Sequence, residues 1–514
     1  MQAGLESQPY PAFTSTLWPH NDTHLNHPTS PLDASQRISE MVARFVPFLR
    51  SFSHLFRSRS DCCAAEVRAY AIGLLTAKQG AKNLERMEEC VDGFTYDNVH
   101  HAISAAPWDS RAVMDEVALR ADGLLGGGSR PRLVLDDSGI QKKGHMSVGT
   151  ARQYIGRLGK IENGQVAVCA SLASGQHSTL IDMRLYLPEA WSNDAPRCLK
   201  ARIPEQERHF RTKAQLANEL VRHQRTLGTR FDIVSMDSGY GSDAAFLRAL
   251  QRDGETYVAE VHSNQLIWSE SPWPHRLAKR SGKQLKQAQA SQPAQRVDDF
   301  SQVQDELDWR RLKVRDSDQG WVEVNYLARR IWTMHEEDAQ LQWLLIWEDP
   351  DERPNDGRKS RAPRRHYALS NAAADTDPRR LIGDALGRNV VERNFREAKS
   401  SVGMADYQVR SWPAWHHHMA IVMMAMYFLT QERMHQAPLM SSEGPIALTA
   451  GDIVFMMERL LPQRGRGPAD PAMAERMLTK RIAKRERDQT RRRRLTRRER
   501  PNLWPDEDLA QMPE

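Results

Sequence analysis

The sequence has few cysteines, no long apolar run and no internal repeat. Its five cysteines, Cys62, Cys63, Cys90, Cys169 and Cys198, form no Cys-x-x-Cys pair. That spacing excludes a cysteine-ligated structural zinc and a disulfide scaffold, and fits reduced thiols in a cytosol. The strongest apolar run, residues 419–429, is too short to cross a bilayer and predicts a buried helix. No basic-then-apolar leader opens the chain, so a soluble cytoplasmic protein is expected. No motif recurs at a fixed period, which excludes solenoids and propellers. Acidic residues are scarce in one place. Residues 480–500 hold 12 Lys/Arg against 3 Asp/Glu, a net of +9 (12 minus 3). The whole chain carries +6, so everything else sums to −3 (6 minus 9). The basic balance belongs to one segment, which attracts polyanions and is expected to be disordered alone.

The 514 residues suffice for about three domains. Residues 1–35 are rich in Pro, Ser, Thr, Asn and His and read as a mobile tail. Residues 36–129 read as all-helical, with Phe45, Phe48 and Leu49, then Val67, Tyr70, Ala71, Leu74 and Leu75, on helical spacing. Lys78, Lys82 and Arg86 make this module basic, suited either to gripping DNA or to packing and dimerisation. Gly126 to Pro131 is a linker. Residues 130–261 then switch period. Leu133, Val134 and Leu135 predict a strand ending at Asp136-Asp137-Ser138-Gly139. Residues 166–172 predict a second strand, and Ile181, Met183, Leu185 and Leu187 alternate as a third. A helix around Leu216 to Val221 leads to a strand ending at Asp237-Ser238-Gly239-Tyr240-Gly241. A helix with Ser242 as its cap and a fifth strand at residues 257–261 complete the part. Three strands in a row followed by crossovers give an α/β core with a meander. Residues 262–370 are β-leaning and read as an insertion. Asp377 and Pro378 predict a helix start inside residues 371–436, and residues 437–514 form the basic C-terminal segment.

Arg388, Glu392 and Lys399 fall within about 40° of one another if residues 388–399 form one helix. A carboxylate between two cations suits a metal on the acid and phosphates on the bases, although mixed-charge faces also occur as solvated surface. Asp136, or its neighbour Asp137, and Asp237 end two strands, where α/β sheets place ligands. With Glu392 they supply three hard oxygen donors of the kind Mg²⁺ takes. Asx turns could equally explain both aspartates, and two carboxylates could make a glycosidase pair. That pair would leave the Arg/Lys face unexplained. Consecutive histidines, His100-His101 and His416-His417-His418, do not share a helix face and make a poor metal site. His418 is expected to pack beside the site or contact DNA.

Three blocks together resemble the DDE transposases of bacterial insertion sequences. They are residues 133–165, residues 234–241 with the Asp-Ser-Gly-Tyr-Gly run, and residues 391–399 followed by Gly403, Tyr407, Arg410, Trp415 and His418. The resemblance spans most of residues 40–435. It implies an α/β RNase H-like catalytic core with a β-rich insertion, preceded by an all-α DNA-binding domain. By that resemblance Asp136, Asp237 and Glu392 are the catalytic metal ligands for two Mg²⁺ ions, with Mn²⁺ able to substitute. Asp136 is preferred to Asp137 because of its spacing to Ser138. Arg388 and Lys399 match the Arg and Lys of the group's Tyr-x2-Arg-x3-Glu-x6-Lys signature. With Arg410, Lys142 and Lys143 they are the candidate phosphate contacts. Ala385 stands where the signature has Tyr, which leaves hairpin handling of DNA ends open. The implied partners are transposon ends and target DNA, bound by a homodimer in a nucleoid-associated complex. The implied activity is end cleavage followed by transfer of the 3′-hydroxyl. A DNA-binding regulator with lost catalysis and a stand-alone metal-dependent nuclease are the alternatives.

Overall fold

Leu133, Val134 and Leu135 are buried on both faces of their strand, so they can only lie in the middle of a covered sheet. In the computed structural model they open β1, Arg132–Gln141. Its neighbours are β3 (Lys160–Ser174), antiparallel, and β5 (Ile233–Met236), parallel. The structure describes residues 34–57, 62–78, 80, 82–272, 293–305, 308–317, 320–335, 338–348, 364–435, 439–441, 444–446, 448–496 and 506–508. The expected tail at residues 1–35 lies almost wholly outside them. The His275 to Lys286 stretch, expected from its composition to be polar and basic, lies wholly outside them, as does most of Arg353 to Arg365, expected as a charged loop.

β4, His177–Leu185, pairs antiparallel with β3, and β6, Tyr257–Val261, pairs parallel with β5. The core order is therefore β4-β3-β1-β5-β6, a meander followed by two parallel crossovers. A further short strand, β2 (Ala151–Ile155), pairs with the start of β3; its alternation was too brief to read. The β-rich stretch continues the same sheet. Arg365–Ser370 pairs with β6, followed outward by Asp338–Glu348, Gly320–His335 and Arg310–Ser317. With Asp506–Asp508 at its edge, the sheet has 11 strands.

Helices cover the sheet. Trp412–His435 is buried almost all round, as its unbroken apolar run predicts, and packs against β4, Ala64–Thr76, Tyr96–Ser104 and Ser110–Ala121. The rings of Phe45 and Phe428 meet at 4.8 Å between centroids. One continuous core thus runs from the N-terminal helices through the sheet to Ala450–Leu460. Lys82 belongs to it. This lysine is 2% exposed and donates to the carbonyls of Leu74 and Ser401, tying the end of Ala64–Thr76 to the end of Val390–Ser401. It is therefore not the DNA-gripping cation its neighbours suggested, and burial pushes its pKa down to about 8.

Several local expectations change. β1 does not stop at Asp136 but runs on to Gln141 against β3. Asp243, not Ser242, caps Ala244–Arg252, because its carboxylate accepts from Phe246 N at 3.0 Å. The basic segment, expected to be disordered when alone, belongs here to the helix Pro471–Thr496, whose Ala474, Leu478 and Ile482 are buried.

Asp182, fully buried on β4, closes a second tie. Arg111 Nη1 donates to it at 2.6 Å and Gln224 Nε2 at 3.1 Å, joining β4 to Ser110–Ala121 and Lys213–Leu227. Asp182→Ala leaves Arg111 with Asp115 as its remaining carboxylate and takes the acceptor from Gln224, and should lower unfolding free energy by about 2 kcal/mol. Urea denaturation followed by circular dichroism measures it, and a loss below about 0.5 kcal/mol would show the tie to be dispensable.

Candidate active site

β1 and β5 stay paired only as far as Leu135 and Met236, and Met236 in turn lies opposite Ala259 of β6. The next residue on each strand is acidic: Asp136, Asp237 and Glu260. Three carboxylates therefore sit at one level across three parallel strands, where the β1–β5 pairing ends. Asp237 is fixed by its own backbone. Its Oδ1 accepts from Gly239 N at 3.0 Å and Tyr240 N at 3.3 Å, capping the turn Ser238–Gly241. That turn lies hard against β6. A Cβ on Gly241 would come within 1.9 Å of the Glu260 carbonyl oxygen, so only glycine fits. Thus the Asx turn expected as an alternative to a functional Asp237 is present, and it positions the carboxylate in the row.

Arg388 lies over this row. The helix expected over residues 388–399 starts two residues later, as Val390–Ser401; Pro378–Gly387 ends before it, and Arg388 and Asn389 form the junction. From that junction the guanidinium reaches the acids. Its Nε meets Glu260 Oε1 at 3.0 Å, Nη1 meets Asp136 Oδ2 at 3.4 Å, and Nη2 is 3.7 Å from Glu392 Oε1. Burial works against its charge, but Glu260 and Asp136 outweigh burial and hold its pKa above the ordinary value. Asp136 goes the other way. Burial and the neighbouring Asp237 charge push it up to about 8. An enclosed Asp136 beside the Asp237 carboxylate makes a hard-oxygen site suited to a divalent ion. Glu392, 65% exposed, faces outward beyond Arg388. Among the described residues no three His, Cys, Asp or Glu side chains are grouped as a ligand set.

The remaining candidates separate. Asp137 points to the opposite face from Asp136 and pairs with Lys213. Glu397 pairs with Arg433 at 3.1 Å, away from the row. Lys399 reaches back to β1, donating to the Gly139 carbonyl at 2.9 Å, and burial lowers its pKa. Lys142 lies over the Tyr407 ring at 3.4 Å and donates to the Tyr407 carbonyl at 3.1 Å, its pKa pushed down to about 8 by burial. Lys143 and Arg410 are exposed. His418 is fully buried between the Tyr70 hydroxyl at 2.8 Å and the Met404 carbonyl, so it contacts no external ligand. Ala385 is likewise buried, in a cluster with Leu345, Leu381 and Ile382. Glu260 was missed. Its signal was a lone carboxylate inside the otherwise apolar strand Tyr257–Val261.

A family model described as DDE superfamily endonuclease matches residues 48–320, more than half the chain, including Asp136, Asp237 and Glu260. The chain belongs to this family of endonucleases. It is also 26% identical, over 339 residues, to a protein of Microchaete diplosiphon described as a probable transposase for insertion sequence element IS701. That alignment covers 65% of this chain and 73% of the relative.

Asp136→Asn removes the repulsion within the aspartate pair. Because the folded pKa of Asp136 lies above its unfolded value, stability should fall as pH rises from about 4 to 8 in metal-free buffer. The Asn variant should lose that slope and have a higher Tm than the wild type at pH 8. Adding Mg²⁺ should raise the wild-type Tm and leave the variant's unchanged. Thermal scans in EDTA and in Mg²⁺ decide it; equal Mg²⁺ shifts would remove Asp136 from the cation site.

Proposed function

We propose that this chain is a DNA transposase with an RNase H-like catalytic core. It would cut at the ends of an insertion sequence and join the freed 3′-hydroxyl to target DNA. The observation that carries this reading is the Asp136–Asp237 pair, two carboxylates held at one level of adjacent parallel strands with Arg388 against them. The strand order β4-β3-β1-β5-β6 and the relative described as a probable transposase support it.

Asp136 and Asp237 would hold Mg²⁺, or Mn²⁺ in its place, and Glu392 would complete the set by turning inward from its exposed position. Bound there, divalent ions activate the attacking oxygen and stabilise the leaving one in phosphodiester cleavage. The chain's own groups orient the DNA. The Asp237 carboxylate is pre-set by two backbone N–H donors, so it needs no reorganisation. Arg388 presents a forked guanidinium that suits a phosphate, and Glu260 keeps that fork at the row while no DNA is bound. Lys399, enclosed beside Gly139, brings a cation whose charge is poorly screened and so acts strongly on a nearby phosphate. Lys142, Lys143 and Arg410 extend the cationic track past Tyr407. Ala385, being buried, offers no phosphate contact where the related signature has a tyrosine. Cleavage at two ends calls for a homodimer that brings them together.

The test is cleavage of a labelled duplex carrying the element's own terminal repeat, in Mg²⁺ and in EDTA. Wild type should cut at the repeat boundary only with Mg²⁺. Asp237→Ala and Glu392→Ala should each lose cleavage by on the order of 100-fold or more while still shifting the duplex in a gel. Cleavage retained by Asp237→Ala would overturn the assignment. Binding without any cut by the wild type would instead support a regulator, and cutting without joining a stand-alone nuclease.

A further inference from the structure

The helix Pro471–Thr496 carries two sets of cations with different surroundings. Arg481 and Arg485 turn inward to Asp452, a fully buried carboxylate on Ala450–Leu460. Arg481 Nε lies 2.9 Å from Asp452 Oδ1, and Arg485 pairs with Oδ2. Ala474, Leu478 and Ile482 are buried on the same side. Arg476, Lys480, Lys484, Arg487 and Arg491 are the second set. They follow one another at intervals of four, four, three and four residues, and all five are exposed. At 100° per residue they fall within about 80° of one another, roughly opposite the buried side, over about 22 Å of helix. Glu475, Glu486 and Asp488 fall outside that stripe by about 40° or more. None of the five forms an ion pair among the described residues.

A stripe of like charges at four-residue spacing destabilises a helix in water. A merely solvated helix relieves that repulsion by interspersing acids, and here the acids stand to the sides. The two arginines on Asp452 fix the rotation of the helix about its axis, so the repulsive stripe is aimed outward. We propose that this stripe is a docking surface for the phosphate backbone of double-stranded DNA, separate from the catalytic row. This rests on the DNA-acting function proposed above. Duplex DNA offers about one negative charge per 1.7 Å of axis, dense enough to meet five cations in about 22 Å without any base-specific contact. An anionic membrane is the weaker match. An interfacial helix needs a free apolar face, and this one has buried Ala474, Leu478 and Ile482 against the protein; among the described residues its exposed large apolar side chains are Met473 and Met477, near its start.

The test uses the full chain and a labelled duplex of arbitrary sequence, with fluorescence anisotropy over a salt series. In the triple variant Lys480→Gln, Lys484→Gln and Arg487→Gln, glutamine keeps the helix propensity. The slope of log Kd against log salt should shrink by about 2 to 3, and affinity near physiological salt should fall at least ~10-fold. A control triple, Lys200→Gln, Arg222→Gln and Arg252→Gln, removes the same charge from other exposed positions and should bind nearly as the wild type. Wild-type binding by the stripe variant, or equal weakening by the control, would overturn the stripe and leave the DNA reading intact. No duplex binding by the wild type at low salt would overturn both. Binding to phosphatidylserine-rich vesicles that is lost in the stripe variant, with duplex binding unchanged, would assign the surface to a membrane instead.

Discussion

The guanidinium of Arg388 is the interaction around which the rest of this site is arranged. It occupies the place between Asp136, Glu260 and Glu392 where several negative charges converge. A row of carboxylates at the end of strand pairing is unstable without a cation, and the protein supplies one of its own. Arg388 reaches that place because the chain breaks its helix at Gly387, so that the side chain leaves from a junction and not from a continuous helix face. An internal cation of this kind has two effects. It offsets the repulsion along the row, and it ties β1 and β6 to the start of the helix that carries Glu392.

The sheet makes that arrangement possible. Parallel pairing sets Leu135, Met236 and Ala259 on one level, and the acidic residues follow on the next. Gly241 lets the turn after β5 lie on β6, which fixes Asp237 beside Glu260. Beyond β6 the antiparallel strands lengthen the same sheet, so the β-rich stretch stiffens the edge that carries Glu260.

Much of this was legible in the sequence. The strands were readable because residues 133–135, 233–236 and 257–261 are apolar and β-rich, and the buried helix Trp412–His435 because its apolar run has no polar face. Asp136, Asp237 and Arg388 stand out in the sequence after β-rich runs and at helical spacing, although β1 runs on past Asp136 to Gln141. What escaped depends on register and on tertiary contacts. Glu260 acquires its meaning only when three strands align, and no local pattern encodes that. The break before Val390 lacks a proline or other strong stop signal. Lys82 looked like one more cation of a basic module, because a single polar side chain amid mixed sequence gives no sign that carbonyls await it in the core. At the C-terminal segment the charge pattern does not say which face of the helix packs inward; the apolar positions at four-residue spacing, Ala474, Leu478 and Ile482, do.

Lys82 bears on modularity. Its ammonium joins the last turn of Ala64–Thr76 to the last turn of Val390–Ser401, the helix that carries Glu392 and Lys399. The N-terminal helices and Val390–Ser401 therefore share a buried charge as well as an apolar core. A recognition domain attached by a flexible linker can be exchanged between relatives like a cassette. Here a transplanted N-terminal region would have to bring its own lysine to the same two carbonyls, or leave both unsatisfied in the interior. Recombination between relatives is thus constrained to keep these two distant stretches together. Divergence in what the N-terminal helices contact is expected to proceed on their exposed faces, residue by residue, and not by exchange of the whole unit.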